Sequence, residues 1–191
     1  MKIIQLDDFL SQKDIYIAEA KAGKTFVYPT DTIYGIWALY TPENVEKVFA
    51  IKPRDSKKMF SIIAPSFQRI EENHKWSTTN NATERSELHE IDYDTLPEYL
   101  EKYHGVTYIF SYEKPGVRII KHPMQKFVEE LWMPFITTSC NIAGEPVVID
   151  IKNIPEEIAS KVDYIIDGGI GWGKPSVLID FVSNKVIHRD A

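Results

Sequence analysis

Tyr28-Pro-Thr-Asp-Thr-Ile-Tyr-Gly35 is the stretch on which the reading of this chain turns. Residues 25–28 read as a short buried strand, and Pro29 turns the chain out of it. Two hydroxyls around one carboxylate, closed by glycine, then stand where a strand meets a turn. Such a pattern serves either of two ends. Thr30, Asp31 and Thr32 bond their own backbone in an ordinary turn, or they present short polar groups to a small polar ligand. Spacing alone does not choose between them.

On the N-terminal side, residues 14–22 mix small and apolar types and run into Gly23, a helix with a glycine stop. On the other side, Thr41-Pro42-Glu43 supplies a capping hydroxyl, a proline at the first helical position and an acid at the positive end of the dipole. Val45, Val48 and Phe49 share one face of this second helix, which should stop near Lys52-Pro53. Strands are expected over 60–64, 106–111, 117–120, 135–138, 164–166 and 177–181, with helices beginning near Pro123 and Pro155. The expected fold is therefore α/β (or α+β), a single domain over 1–191 with a substantial mixed sheet.

The composition supports such a core. A chain of 191 residues with 43% hydrophobic and 12% aromatic content can bury roughly 70% of the surface its unfolded form exposes. The formal charge of −6 excludes a uniformly basic coat for nucleic acid. Nine acids against Lys75 and Arg85 alone make 71–101 a strongly acidic stretch, read as a solvated insertion or long loop. Cys140 is the one cysteine, which excludes an internal disulfide and a thiolate zinc cage. It reads as a small buried thiol rather than a nucleophile. No run approaches the roughly 18 apolar residues of a membrane span, so a soluble cytoplasmic protein without membrane contact is expected.

Two further constellations carry possible chemistry. Lys52-Pro-Arg-Asp-Ser-Lys-Lys58 follows a helix end, where a lysine is partly a response to the dipole. Arg54 and Lys58 lie in a proline-broken segment that can gather several cations around one anion, as a triphosphate requires. There is no GxxxxGK[ST] loop, so phosphate binding must use side-chain cations and hydroxyls. The third constellation, Ile136-Thr-Thr-Ser-Cys-Asn-Ile-Ala-Gly-Glu-Pro146, carries Ser139 and Asn141 beyond a buried strand, where open α/β sheets bind ligands. His74, His89, His104 and His122 lack the compact spacing of a metal hydrolase.

Together these segments resemble the YrdC-like family of threonylcarbamoyl-AMP synthases. The motif PTDTxYG stands at Pro29–Gly35, KxRxxxK at Lys52, Arg54 and Lys58, and TSxN at Thr138, Ser139 and Asn141. Gly116-Val-Arg-Ile119, His122-Pro123, Asp167-Gly-Gly169, Pro175-Ser176 and Arg189 follow in the family's order. The resemblance implies a twisted mixed sheet with flanking helices and a concave, locally basic ligand surface. It implies a reaction joining L-threonine, bicarbonate or carbon dioxide, and ATP into threonylcarbamoyl-adenylate and pyrophosphate, for modification of tRNA. By the same resemblance Thr30, Thr32, Arg118, Ser139 and Ser176 bind threonine, while Lys52, Arg54, Lys58, Asn141 and Arg189 bind ATP. Mg2+ accompanies the nucleotide, and proteins that transfer the threonylcarbamoyl group to tRNA act downstream.

The chain also departs from the family pattern. Tyr103-His-Gly-Val-Thr107 stands in place of PGPxT, Asp55 and Met59 replace prolines, Val177 replaces a threonine, and Ile63 stands where some members carry histidine. A paralogue of the same fold that binds RNA or nucleotide without synthase activity is the alternative. Its weakness is the chain's overall acidity, because RNA binding leans on several phosphate contacts.

Overall fold

The computed structural model describes residues 1–52, 60–66, 105–183 and 185–189. Arg54, Lys58, Asp55, Met59 and the acidic 71–101 stretch lie outside the described residues. Among those described, the chain runs β1 (Lys2–Gln5), α1 (Leu6–Ser11), α2 (Lys13–Lys21), β2 (Phe26–Tyr28), β3 (Gly35–Leu39) and α3 (Pro42–Ile51). It continues through β4 (Ser61–Ile63), β5 (Val106–Ile109), β6 (Gly116–Arg118), α4 (Met124–Leu131) and β7 (Phe135–Ser139). The last elements are α5 (Glu156–Ala159), β8 (Tyr164–Asp167), β9 (Val177–Asp180) and β10 (Lys185–Ile187). The strands form one mixed sheet in the order β1-β8-β2-β3-β7-β4-β6-β5-β9-β10. This is the α/β domain with a mixed sheet and flanking helices that the sequence led us to expect.

The helix boundaries follow their local chemistry. Gly23 adopts a left-handed φ of +79° after α2. Its N–H donates to the Ala20 carbonyl and the Lys24 N–H to that of Glu19, so the stop is a Schellman turn. At the start of α3, the Thr41 hydroxyl accepts the Asn44 N–H at 3.3 Å with Pro42 at the first helical position. The same helix ends at Ile51, one residue before Lys52.

Strand β3 was not among the expected elements. Gly-Ile-Trp-Ala-Leu lacks a polar and apolar alternation because both of its faces are covered. Trp37 and Leu39 join Phe9, Tyr16, Met124, Phe127 and Phe135 under α1, α2 and α4. Ile36 and Ala38 join Val48, Ile51, Ile158 and Val162 on the opposite side, against α3 and α5. Strands β1 and β10 and helix α1 also go beyond the expectation; the two strands close the edges of the sheet.

Asp163 clamps the start of β8 to the start of β2. Its carboxylate accepts the Thr25 N–H at 2.9 Å, the Thr25 hydroxyl at 3.0 Å and the Lys24 ammonium at 3.0 Å. Partial burial pushes its pKa up, but these three donors outweigh that and hold it below the ordinary aspartate value. A depressed folded pKa means the stabilisation is present above the usual carboxylate range and is lost as pH falls through the folded value. Asp163→Ala is expected to cost about 1–3 kcal/mol at pH 7. Urea unfolding of both proteins from pH 7 down to pH 3 checks this, and the gap between them must narrow on acidification.

Candidate active site

The sheet places the site by letting one face change character along its strands. On the side covered by α1, α2 and α4, β3 passes from Leu39 and Trp37 to Gly35, and β7 from Phe135 to Thr137 and Ser139. On β4 the change is from Ile63 to Ser61. Register puts Arg118 beside Ile63 and Thr107 beside Leu178, so the period of two aligns Gly116, Arg118, Thr107, Ile109 and Leu178 on this same face. Where the helical cover ends, these residues line a cavity of about 480 Å³. That volume falls in the range of small-molecule sites, roughly 300–1,000 Å³.

Arg118 is the charge at its centre. Its side chain is 7% exposed and donates from Nη2 to Asp31 Oδ1 at 2.6 Å, Asp31 itself being 4% exposed. The other Asp31 oxygen accepts the Lys121 N–H at 3.2 Å, which fixes the carboxylate. Both Nη atoms lie 3.5 Å from the Thr32 hydroxyl, and the buried Nε–H has no protein acceptor. Thr30 behaves differently. Its Oγ accepts the N–H groups of Thr32 and Ile33 at 3.0 and 3.1 Å, contacts Thr32 Oγ at 2.7 Å and reaches the Ile33 carbonyl at 2.8 Å. The two readings of the Pro29–Gly35 stretch are thus divided among its residues: Thr30 builds the turn and Asp31 aims an arginine, while Thr32 stands at the wall.

The remaining motifs lock around that turn. Tyr34 donates its hydroxyl to the Gly169 carbonyl at 2.7 Å and accepts the Gly168 N–H at 3.0 Å. Gly173 donates its N–H to the Thr32 carbonyl at 3.1 Å. The Asp167-Gly-Gly169 segment is therefore a brace for the turn. On the far wall, Arg189 donates from Nη2 to Ser176 Oγ at 2.5 Å and from Nε to the Ser176 carbonyl at 2.9 Å. Ser176 Oγ lies 2.8 Å from the Thr107 hydroxyl. Only one proton is used between these two hydroxyls, so the pair keeps one O–H without an acceptor among the described residues. Loss of water and, after it, the Arg118 charge draw the Arg189 pKa below its ordinary value.

Thr30, Thr32, Arg118, Ser139, Ser176 and Arg189 all line the one cavity. Lys52 and Asn141 stand behind Ser139 instead of on the wall: Lys52 Nζ donates to Ser139 Oγ at 2.9 Å and to Asn141 Oδ1 at 3.1 Å. Thr107, Ser61 and Thr137, together with Ser111, Tyr112 and Lys114 of the β5–β6 connection, line the cavity and were not singled out by the sequence. For Thr107 a signal existed, since it is the polar residue of an otherwise apolar strand. Tyr112 is held by Asp180, whose carboxylate accepts its hydroxyl at 2.8 Å. Ile63 is fully buried in the helix-covered core, so the departure there alters packing and not the cavity wall.

Cys140 is buried, and loss of water pushes its thiol up to about 12, the Lys52 charge opposing only in part. Iodoacetamide at pH 8 is expected to leave the folded protein unlabelled and to modify it fully in denaturant, read by intact mass. His122 accepts the Met124 N–H on Nδ1 at 3.3 Å at the start of α4, and burial lowers its pKa against the opposing pull of Asp31. It is a packing histidine; His74, His89 and His104 lie outside the described residues. Among those described, no three His, Cys, Asp or Glu side chains cluster to hold a metal ion, and no helix is long and apolar enough to cross a membrane.

Comparison with known proteins bears on this geometry. The Sua5/YciO/YrdC family, described as telomere recombination, matches residues 19–191. A Methanocaldococcus jannaschii protein provisionally named a threonylcarbamoyl-AMP synthase is 32% identical, over 98% of this chain and 89% of its own length. Among solved structures, E. coli YciO superposes with a TM-score of 0.71 at 18% identity, over 98% of this chain and 92% of that one. P. abyssi Sua5 complexed with L-threonine superposes with a TM-score of 0.70 at 21% identity over 95% of this chain, which spans 54% of the Sua5 chain.

Proposed function

The chain belongs to the Sua5/YciO/YrdC family, and from that premise we propose that it is an L-threonylcarbamoyladenylate synthase, joining L-threonine, bicarbonate and ATP with release of pyrophosphate. Relatives at 23–32% identity are named as this enzyme. The observation that carries the proposal is a set of donors, without acceptors among the described residues, on side chains that line one cavity. They are one proton of the Thr107–Ser176 pair and the Ser139 hydroxyl, whose oxygen already accepts from Lys52, and the Arg118 guanidinium stands on the same wall. Among the described residues, the charged ones on the wall are Lys114, Arg118 and Arg189, all cations. Such a cavity suits a ligand rich in anionic oxygens, and both substrates are of that kind.

The chemistry asks for little else. Threonine's amine takes up bicarbonate to give a carbamate and water. A carbamate oxygen then attacks the α-phosphorus of ATP in line; the new O–P bond forms as the bond to the β-phosphate oxygen breaks, and pyrophosphate leaves with the electron pair. No protein nucleophile is used, so catalysis lies in alignment and charge. Arg118, held by Asp31, would grip the threonine carboxylate with Thr32 and the Thr107–Ser176 pair beside it. Arg189, with Arg54 and Lys58, would face the phosphates. Mg2+ would arrive with ATP on phosphate oxygens and water, because the Asp31 carboxylate is already engaged by Arg118 and Lys121. The adenylate would pass to proteins that transfer the threonylcarbamoyl group to tRNA.

Pyrophosphate release from ATP, assayed with and without L-threonine and bicarbonate and with serine and glycine as controls, tests the proposal. Release is expected only when both co-substrates are present. Folded protein that binds ATP and releases none under any combination would place the chain with the non-synthase paralogues.

A further inference from the structure

The Ser139 hydroxyl is one of the donors facing the cavity, and behind it stands a buried ammonium. Lys52 is 8% exposed and follows directly after α3. Its Nζ donates to the Ser139 carbonyl at 2.6 Å, to Ser139 Oγ at 2.9 Å and to Asn141 Oδ1 at 3.1 Å, bridging 87 to 89 positions of sequence. An ammonium has three protons and no lone pair. Three acceptors among the described residues are in place for them, and Lys52 is not part of the cavity wall. Asn141 is engaged a second time, its Nδ2 donating to the Glu145 carbonyl at 2.7 Å.

We propose that Lys52 is a positioning residue that acts through Ser139, and is not a ligand of the triphosphate. The proposal rests on the synthase reading, in which the cavity holds the two substrates. Because Lys52 can only donate, Ser139 Oγ must be the acceptor of this bond, and its own proton is turned away from Lys52. That proton has no acceptor among the described residues, and Ser139 lines the cavity. The ammonium therefore sets the direction of the hydroxyl and, through the polarised bond, makes it a stronger donor to an anionic ligand. It also places a positive charge one atom behind the wall, where low exposure leaves it weakly screened. To reach a phosphate, Lys52 would have to release at least one of its three acceptors and leave that oxygen unpaired in the interior. The clamp joins the end of α3 to the end of β7, so it also fixes the point at which the chain leaves the sheet after Ser139.

Four proteins test this: wild type, Lys52→Met, Ser139→Ala and the double variant. For threonine- and bicarbonate-dependent pyrophosphate release, each single change is expected to lower kcat/KM by 10-fold or more, and the double variant to fall within about threefold of the worse single one. Calorimetry with ATP alone should give Lys52→Met an affinity within threefold of wild type. Losses that multiply in the double variant, or a tenfold weaker ATP affinity in Lys52→Met alone, overturn the proposal and make Lys52 a phosphate ligand. A wild type that releases no pyrophosphate defeats the synthase reading separately. In that event the thermal midpoints of the same four proteins still decide the Lys52–Ser139 contact: non-additive shifts support it and additive shifts overturn it.

Discussion

Arg118→Met is expected to lower kcat/KM for threonine by on the order of 10²–10³-fold or more, the range that follows from truncating a buried, hydrogen-bonded charge. The side chain is 7% exposed and holds the guanidinium against an Asp31 that is 4% exposed. Removing the cation therefore does two things. It takes the guanidinium out of the cavity wall, and among the described residues it leaves the buried Asp31 carboxylate with only the Lys121 N–H. The second effect costs about 3–5 kcal/mol of stability by the general behaviour of broken buried pairs. The two are separable. Arg118→Met combined with Asp31→Asn removes both charges and should recover most of the unfolding midpoint while remaining inactive with threonine. A double variant that regains activity along with stability would show Arg118 to be structural only, and the assignment of the amino-acid site would fall with it. ATP affinity measured without threonine should move less than the threonine KM in either variant.

What the sequence made legible depended on how local the cause was. The Schellman stop after α2 and the Thr41 cap of α3 are written in neighbouring residues, and both stand where the sequence places them. Strand β3 was hidden for a physical reason: a central strand buried on both faces has no alternation to betray it, and here it follows directly on a polar turn. Motif order named six residues that line the cavity, Thr30, Thr32, Arg118, Ser139, Ser176 and Arg189, but not which of them are engaged elsewhere. On paper Thr30 carries the same hydroxyl as Thr32, and Lys52 offers a ligand more donors than Ser139 does. Their engagement in turn and clamp follows from partners as close as Ile33 and as far as Ser139. The pairing of Thr107 with Ser176 across 69 positions, and the approach of Arg189 to that pair, needed the β5–β9 register. Residue type names the donors; only the fold shows which have a proton left to give.

Gly105→Ala is expected to damage the same wall from outside the motifs. Gly105 has a φ of +65°, and a Cβ built there stands 2.3 Å from the Thr32 methyl and 3.2 Å from Arg118 Nη2. The left-handed backbone alone costs an alanine roughly 1–2 kcal/mol, and overpacking adds about 1–3 kcal/mol. Neither side can retreat easily. The Gly105 carbonyl accepts the Val177 N–H at 2.9 Å, and Thr32 is tied through its N–H to Thr30 Oγ and through its carbonyl to Gly173. The displacement must therefore reach Thr32 and the Arg118 fork. A fall in the unfolding midpoint of about 5–15 °C follows for a chain of this size, with the threonine KM raised at least tenfold. The diagnostic partner is Thr32→Ser, which deletes the methyl that the new Cβ meets while keeping the hydroxyl. In the Gly105→Ala background it should recover part of both losses, whereas in the wild-type background it should bring no gain. Equal damage with and without the Thr32 methyl would mean that backbone strain alone acts at Gly105, and that its close approach to the cavity wall carries no weight in holding Arg118.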